Sequence, residues 1–97
     1  MKANEFKTEV LDHKGLVLVK LWNKTCTMCK ILDKKLETMT LDVKLVSVDT
    51  DENMELAKEH QVRSLPTMIL YKDGAVVHTL VGVPSESLIK EVLDVYR

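Results

Sequence analysis

The sequence predicts an α/β domain, a mixed four-stranded sheet flanked by helices on both faces, in the order α-β-α-β-α-β-β-α. Three observations carry that prediction. The run Leu16–Trp22 is apolar and rich in β-branched residues with one break, at Lys20, so it reads as a central strand covered on both faces. Helix-period and strand-length apolar segments then alternate along the chain, the pattern of crossover connections. Asp73-Gly74 lies between two strand-like runs, the signal of a two-residue hairpin. Right-handed crossovers make the first two strands parallel neighbours, and the hairpin makes the last two antiparallel.

Taken in order, residues 4–13 read as a short amphipathic helix with Asn4 as N-cap and Phe6, Val10 and Leu11 on its buried face; Gly15 stops it. After the first strand, residues 26–39 carry Met28, Ile31, Leu32, Leu36 and Met39 at helical spacing, with Lys30, Asp33, Lys34, Lys35 and Glu37 as the wet face. Residues 43–48 form a second buried strand ending at Asp49. Asp49-Thr50-Asp51 then offers N-cap candidates for a helix running to about His60, with Met54, Leu56 and Ala57 turned inward. Ser64-Leu65-Pro66-Thr67 leads into a strand over 68–71, and the hairpin joins it to a strand over 75–81. Gly82-Val83-Pro84 breaks the chain before Ser85-Glu86-Ser87 opens a last helix, whose apolar side is Leu88, Ile89, Val92, Leu93 and Tyr96. There are no repeats, linkers or low-complexity segments.

A chain of 97 residues is one domain, 1–97, large enough for one core. A net charge of −1 gives no general attraction to nucleic acid or an acidic membrane. The start, Met1-Lys2-Ala3-Asn4-Glu5-Phe6-Lys7, is polar and no apolar signal core follows it, and the longest apolar run is too short to span a bilayer. Two cysteines in such a chain argue for a redox or metal role over a secreted disulfide scaffold. The expectation is a cytoplasmic monomer with neither nucleic acid nor membrane as partner.

The chemistry concentrates in Leu21-Trp22-Asn23-Lys24-Thr25-Cys26-Thr27-Met28-Cys29-Lys30, where a strand feeds a C-x-x-C that opens a helix. Unpaired N–H groups and the positive end of the dipole favour a thiolate there. Residues three apart share a helix face, so the two sulfurs can bond, with Cys26 exposed and Cys29 one turn deeper. Reversible thiol–disulfide exchange is the reaction this suggests. A metal site is the first alternative, but zinc generally takes four ligands, there is no second C-x-x-C, and His13, His60 and His78 show no ligand spacing. Two inert core cysteines are the second. A copper-carrying module also sets C-x-x-C between strand and helix, but its order is β-α-β-β-α-β, and here a helix follows the second strand.

From Lys20 to Lys35 there are five lysines and one acid, Asp33, a charge balance that lowers the Cys26 pKa unless Lys24, Lys30, Lys34 and Lys35 are merely a solvated face. Lys20, inside the strand, either snorkels out or is buried with a depressed pKa. If it lies behind Cys29, a neutral amine could accept the Cys29 proton; the alternative is an ammonium paired with a carboxylate.

This order, with C-x-x-C at the first strand–helix junction and a proline opening the hairpin strand, resembles the thioredoxin family over nearly the whole chain. Trp22 ahead of Cys26-x-x-Cys29-Lys30 is similar to the family's active-site segment, Val48-Asp49 to its next landmark, Leu65-Pro66-Thr67 to its cis-proline loop, Asp73-Gly74 to its hairpin turn, and Gly82 to its substrate-groove glycine. The resemblance implies the thioredoxin fold and a thiol–disulfide oxidoreductase in which Cys26 attacks a protein disulfide and Cys29 resolves the mixed disulfide; Lys20, from its place inside the strand, is the third catalytic candidate. It implies a cis Pro66 that holds the Leu65 backbone opposite Cys26, where a substrate strand pairs. Trp22 would pack beneath the active-site loop. Trp22, Thr25, Thr27, Met28, Leu65, Pro66, Gly82 and Val83 would meet substrate, with Met28, Leu65 and Val83 as an apolar docking patch.

No cofactor is implied, since the chain has no room for a flavin or nicotinamide domain. Electrons would come from a thioredoxin-reductase-like enzyme or from glutathione. The sequence also departs from the family. Typical members have Trp-Cys-Gly-Pro-Cys where this chain has Thr25-Cys26-Thr27-Met28-Cys29. The family's buried aspartate falls on Lys20, its partner lysine on Leu45, its helix-kinking proline on Lys34, and its first edge strand is missing. Two rival functions therefore stand beside the reductase: a thioredoxin-like binding module without redox turnover, and a glutathione-coupled, glutaredoxin-like enzyme.

Overall fold

A computed structural model of the chain describes residues 3–97. Its sheet is built on β1 (Leu16–Trp22), buried throughout except at its two ends. β2 (Lys44–Asp49) runs parallel on one side of β1, and β3 (Thr67–Lys72) antiparallel on the other. β4 (Ala75–Val81) completes the order β2-β1-β3-β4 through the hairpin. Side chains alternate across β1. Val17, Val19 and Leu21 enter one core with Val46, Val48, Ile69 and Tyr71. Leu18 enters the other with Met68 and Leu70.

Helices close both cores, which is why β1 reads as a continuous apolar run rather than an alternating one. α1 (Ala3–Phe6) continues as a π-helical turn (Lys7–Leu11) and inserts Phe6 and Val10 into the first core. α2 (Thr27–Thr38) and α4 (Glu86–Tyr96) cover the second core with Leu32 and Leu36, and with Ile89, Val92 and Leu93. α3 (Met54–Glu59) lies on the side of the first core, to which Leu56 adds a half-buried side chain.

Several local expectations change. Asn4 is inside the first helix rather than capping it, and its carbonyl accepts the Thr8 hydroxyl. The wide π-turn keeps Phe6 and Val10 on the inner line and rotates Leu11 off it, leaving Leu11 42% exposed. Ile31 and Leu88 likewise sit one residue off the buried lines of their helices and face solvent. Asp49-Thr50-Asp51 does not cap a helix. The Asp49 carboxylate accepts from the Asp51 amide at 2.9 Å, and the Asn53 side chain donates to the Asp49 carbonyl at 2.9 Å, so the segment closes a turn first. α3 therefore starts at Met54, which is 63% exposed rather than inward. Ser85 caps α4 as its position suggests, accepting from the Leu88 amide at 3.1 Å.

The hairpin turn is tied to the first helix. Gly15 donates its amide to the Asp73 carboxylate at 2.7 Å, and the Asp73 amide donates to the Gly15 carbonyl at 3.0 Å. Gly74 has φ +83°, and a Cβ there would stand 2.4 Å from the Leu11 carbonyl oxygen. Gly74→Ala therefore combines a left-handed conformation with a backbone clash, and is expected to cost about 2 kcal/mol or more. Gly15→Ala, at φ +91° but with open space around it, should cost only about 1 kcal/mol. Urea melts of the two variants check this through their midpoints at constant slope. Equal losses would remove the clash from the account.

Candidate active site

The end of β1 is followed by a turn that Asn23 organises. Its side-chain oxygen accepts from the Thr25 amide at 3.1 Å and the Thr25 hydroxyl at 3.2 Å. Its carbonyl accepts from the Cys26 amide at 3.4 Å. The chain is thereby delivered in extended conformation to Cys26, the N-cap of α2. A serine or aspartate oxygen usually serves there; here the Cys26 Sγ accepts from the Cys29 amide at 3.0 Å. The first turn of α2 holds no acidic residue to oppose a thiolate at this position.

Cys26 and Cys29 form a disulfide, with Cα atoms 5.3 Å apart. Cys26 is half-buried and Cys29 only 2% exposed. One sulfur is thus open to attack or to attack from, and the other is shielded behind it.

Sheet register brings the other candidate segments to the same end. Leu21 pairs with Thr67, and Thr67 with Val81, so the residues just beyond them, 22–26, 65–66 and 82–83, gather at one edge of the sheet. The Leu65–Pro66 peptide bond is cis and Pro66 is buried. Thr67, also buried, donates its hydroxyl to the Ser64 carbonyl at 2.7 Å. The Pro66 carbonyl accepts from the Gly82 amide at 2.8 Å, fixing the 82–84 loop against it. Lys35 holds that loop from the other side, its half-buried ammonium donating to the Pro84 carbonyl at 2.8 Å.

Trp22 is half-buried at the end of β1, its carbonyl accepting from the Thr50 amide at 2.8 Å and the Thr50 hydroxyl at 3.2 Å. Its buried indole N–H has no partner among the described residues. Thr25 and Thr27 are exposed and flank Cys26. Of the three residues expected to form an apolar patch, Met28 alone faces solvent, at 48% exposure. Val83 packs on the α2–α4 core and Leu65 on the opposite one, so the three are not shown to form one surface.

Lys20 does not snorkel out. It is buried on β1 between Ser47 and Met68, and its ammonium pairs with the Asp33 carboxylate on α2. Burial lowers its pKa below the ordinary lysine value of 10.5, with the Glu37 carboxylate pulling the other way. Asp33 follows Cys29 by one helical turn, so both lie on the same stripe of α2. Sequence reasoning left Asp33 and Lys35 on the wet face, whereas both are half-buried and partnered. For Asp33 a signal existed: it is the one acid between Lys20 and Lys35, four residues beyond Cys29. Leu45, where a partner lysine falls in the resemblance, is exposed. Among the described residues no three His, Cys, Asp or Glu side chains are grouped so as to hold a metal ion, and no helix is long and apolar enough to cross a membrane.

Comparison with known proteins bears on this geometry. A family model described as Thioredoxin matches residues 1–94. Thioredoxin 1 of Synechococcus elongatus is 37% identical over 92% of this chain and 87% of its own length. The thioredoxin of Bacillus subtilis is 33% identical over 97% and 94% of the two chains. A mutant thioredoxin structure from Halobacterium salinarum superposes with a TM-score of 0.88, covering 99% of this chain and 86% of that one at 30% identity.

Proposed function

This chain belongs to the thioredoxin family of disulfide oxidoreductases, and from that premise we propose that it reduces protein disulfides through Cys26 and Cys29. In the reduced chain the Cys26 thiolate attacks one sulfur of a substrate disulfide. The substrate S–S bond breaks, one substrate sulfur leaves as a thiolate that takes up a proton, and a mixed disulfide remains on Cys26. Cys29 then loses its proton and attacks the Cys26 sulfur. That step releases the second substrate thiol and leaves the Cys26–Cys29 disulfide. A donor dithiol or two glutathione molecules must return the two electrons. The observation that carries this reading is the asymmetry of the pair: Cys26 half-exposed at a helix N-cap, Cys29 buried one turn on.

Lys20 and Asp33 are proposed to handle the Cys29 proton as a pair. An ammonium buried on that side of the sheet lowers the cost of making a Cys29 thiolate, and the carboxylate one turn from Cys29 can take the proton. This modifies the expectation of a lone neutral amine, because the carboxylate is in place beside it. Trp22, Thr25, Thr27, Met28, Leu65, Pro66, Gly82 and Val83 remain the proposed substrate contacts, the Leu65 backbone pairing with an extended substrate segment.

Equilibrating the pair against glutathione redox buffers, alkylating free thiols and weighing the adducts tests the reading. A reversible two-thiol transition is expected. A midpoint more reducing than the glutathione pool supports a reductase fed by a thioredoxin-reductase-like enzyme, and a more oxidising one supports coupling to glutathione. No transition would remove redox turnover and leave a binding module.

A further inference from the structure

Away from the cysteines, the N-terminal helix and α3 enclose a groove of about 880 Å³ over the first core. Its floor is apolar: the Phe6 and Tyr71 rings meet edge to face with centroids 5.8 Å apart, and both are buried. His60 packs beside Tyr71 and is bonded to its hydroxyl, which closes the floor at one end. Its lips are apolar too. Leu11 on one wall is 42% exposed and Met54 on the other 63%, two of the side chains that depart from the helical pattern. Large apolar groups left open on both sides of a cleft are a mark of an interaction site rather than of a finished surface.

The rim decides the occupant. Among the described residues, Glu52 lines the groove together with Asp51, Glu55 and Glu59, the latter three are in no ion pair, and no lysine or arginine is part of the lining. An apolar trough edged by the carboxylates of Asp51, Glu55 and Glu59 complements a segment that is apolar on one side and cationic on the other, and it repels an anionic lipid surface. We propose that this groove docks a basic amphipathic segment of a partner protein, its apolar side chains resting between Leu11 and Met54 and its lysines or arginines meeting Asp51, Glu55 and Glu59.

The groove lies over the face of the sheet opposite α2, so a docked segment leaves Cys26 free. The Trp22–Thr50 bond joins the active-site end of β1 to the turn that carries Asp51.

The test titrates the full chain, labelled with nitrogen-15, with an amphipathic Lys/Leu peptide of about twelve residues, following backbone amide shifts. Saturable shifts are expected at residues 6–11, 51–60 and 71, and not at 26–29. Glu55→Lys with Glu59→Lys should raise Kd about tenfold or more, and Met54→Ser about fivefold. Disulfide reduction should stay at the parent rate in each variant. A Lys/Ser peptide of equal charge should bind at least about tenfold more weakly. The proposal is overturned by shifts centred elsewhere, by no saturation at millimolar peptide, or by Met54→Ser binding like the parent. It is equally overturned if the Lys/Ser peptide or spermine reproduces the shifts, because the groove then senses charge alone.

Discussion

Cys26→Ser is expected to lower the rate of protein disulfide reduction by at least about a thousandfold, to the uncatalysed background, since the proposed mechanism starts from the half-exposed sulfur of Cys26 at the α2 N-cap. Cys29→Ser should behave differently. Its Cys26 can still attack, but nothing buried behind it can resolve the product, so the mixed disulfide should accumulate to one equivalent and appear as a mass adduct that a small thiol releases. Folding should survive both changes, as serine can accept at the N-cap and the disulfide closes a loop of only a few residues. A Cys26→Ser protein that kept full turnover would sink the proposed mechanism. Trapping through Cys26 in the Cys29→Ser chain would at the same time identify the substrates.

The second large effect concerns the ion pair inside the fold, and its two halves should respond in opposite senses. Asp33→Asn leaves a buried ammonium without its carboxylate and is expected to cost about 1–3 kcal/mol, less than a fully buried pair because Asp33 is half open to water. Lys20→Met replaces the buried charge with an apolar side chain of similar length, and should be neutral or stabilising.

The pH profile gives a sharper reading. Burial places the folded-state pKa of Lys20 below 10.5. Between that lowered value and 10.5 the unfolded chain binds more protons than the folded one, so the parent gains stability as pH rises through this interval. Lys20→Met should flatten that rise. If Lys20 has the proposed role, the same variant should slow resolution of the mixed disulfide and shift the redox midpoint to a more reducing value, because an ammonium close to a sulfur favours the thiolate form. Unchanged resolution kinetics and midpoint would reduce Lys20 to a structural residue.

Most of the architecture was legible because its signals are one-dimensional. The apolar run of β1, broken only at Lys20, announced a strand covered twice, Asp73-Gly74 announced the hairpin, and Ser85 announced the last helix. What escaped depends on neighbours. A helical pattern gives an apolar stripe but not its centre, so Leu11, Ile31, Met54 and Leu88 were drawn inward when the packing line passes one residue to the side. Asp49 was read as a cap, yet its side chain bonds locally and closes a turn, the standing competition of short acidic side chains with helix starts. At the site, the cysteine pair and Lys20 stood out from sequence alone. Asp33 and Lys35 did not, because their partners, Lys20 and the Pro84 carbonyl, come from distant segments that only the folded sheet brings to α2.

Trp22 is the chain's single tryptophan, held at the end of β1 four residues before Cys26. Its indole is partly shielded from water, and its backbone carbonyl is pinned by Thr50, which holds the main chain that carries the ring at the active-site end of β1. The molecule thus carries its own fluorophore four residues along the chain from its reactive bond. Emission from that one ring is expected to serve as an unlabelled optical signal for opening and closing of the disulfide, uncontaminated by any second tryptophan.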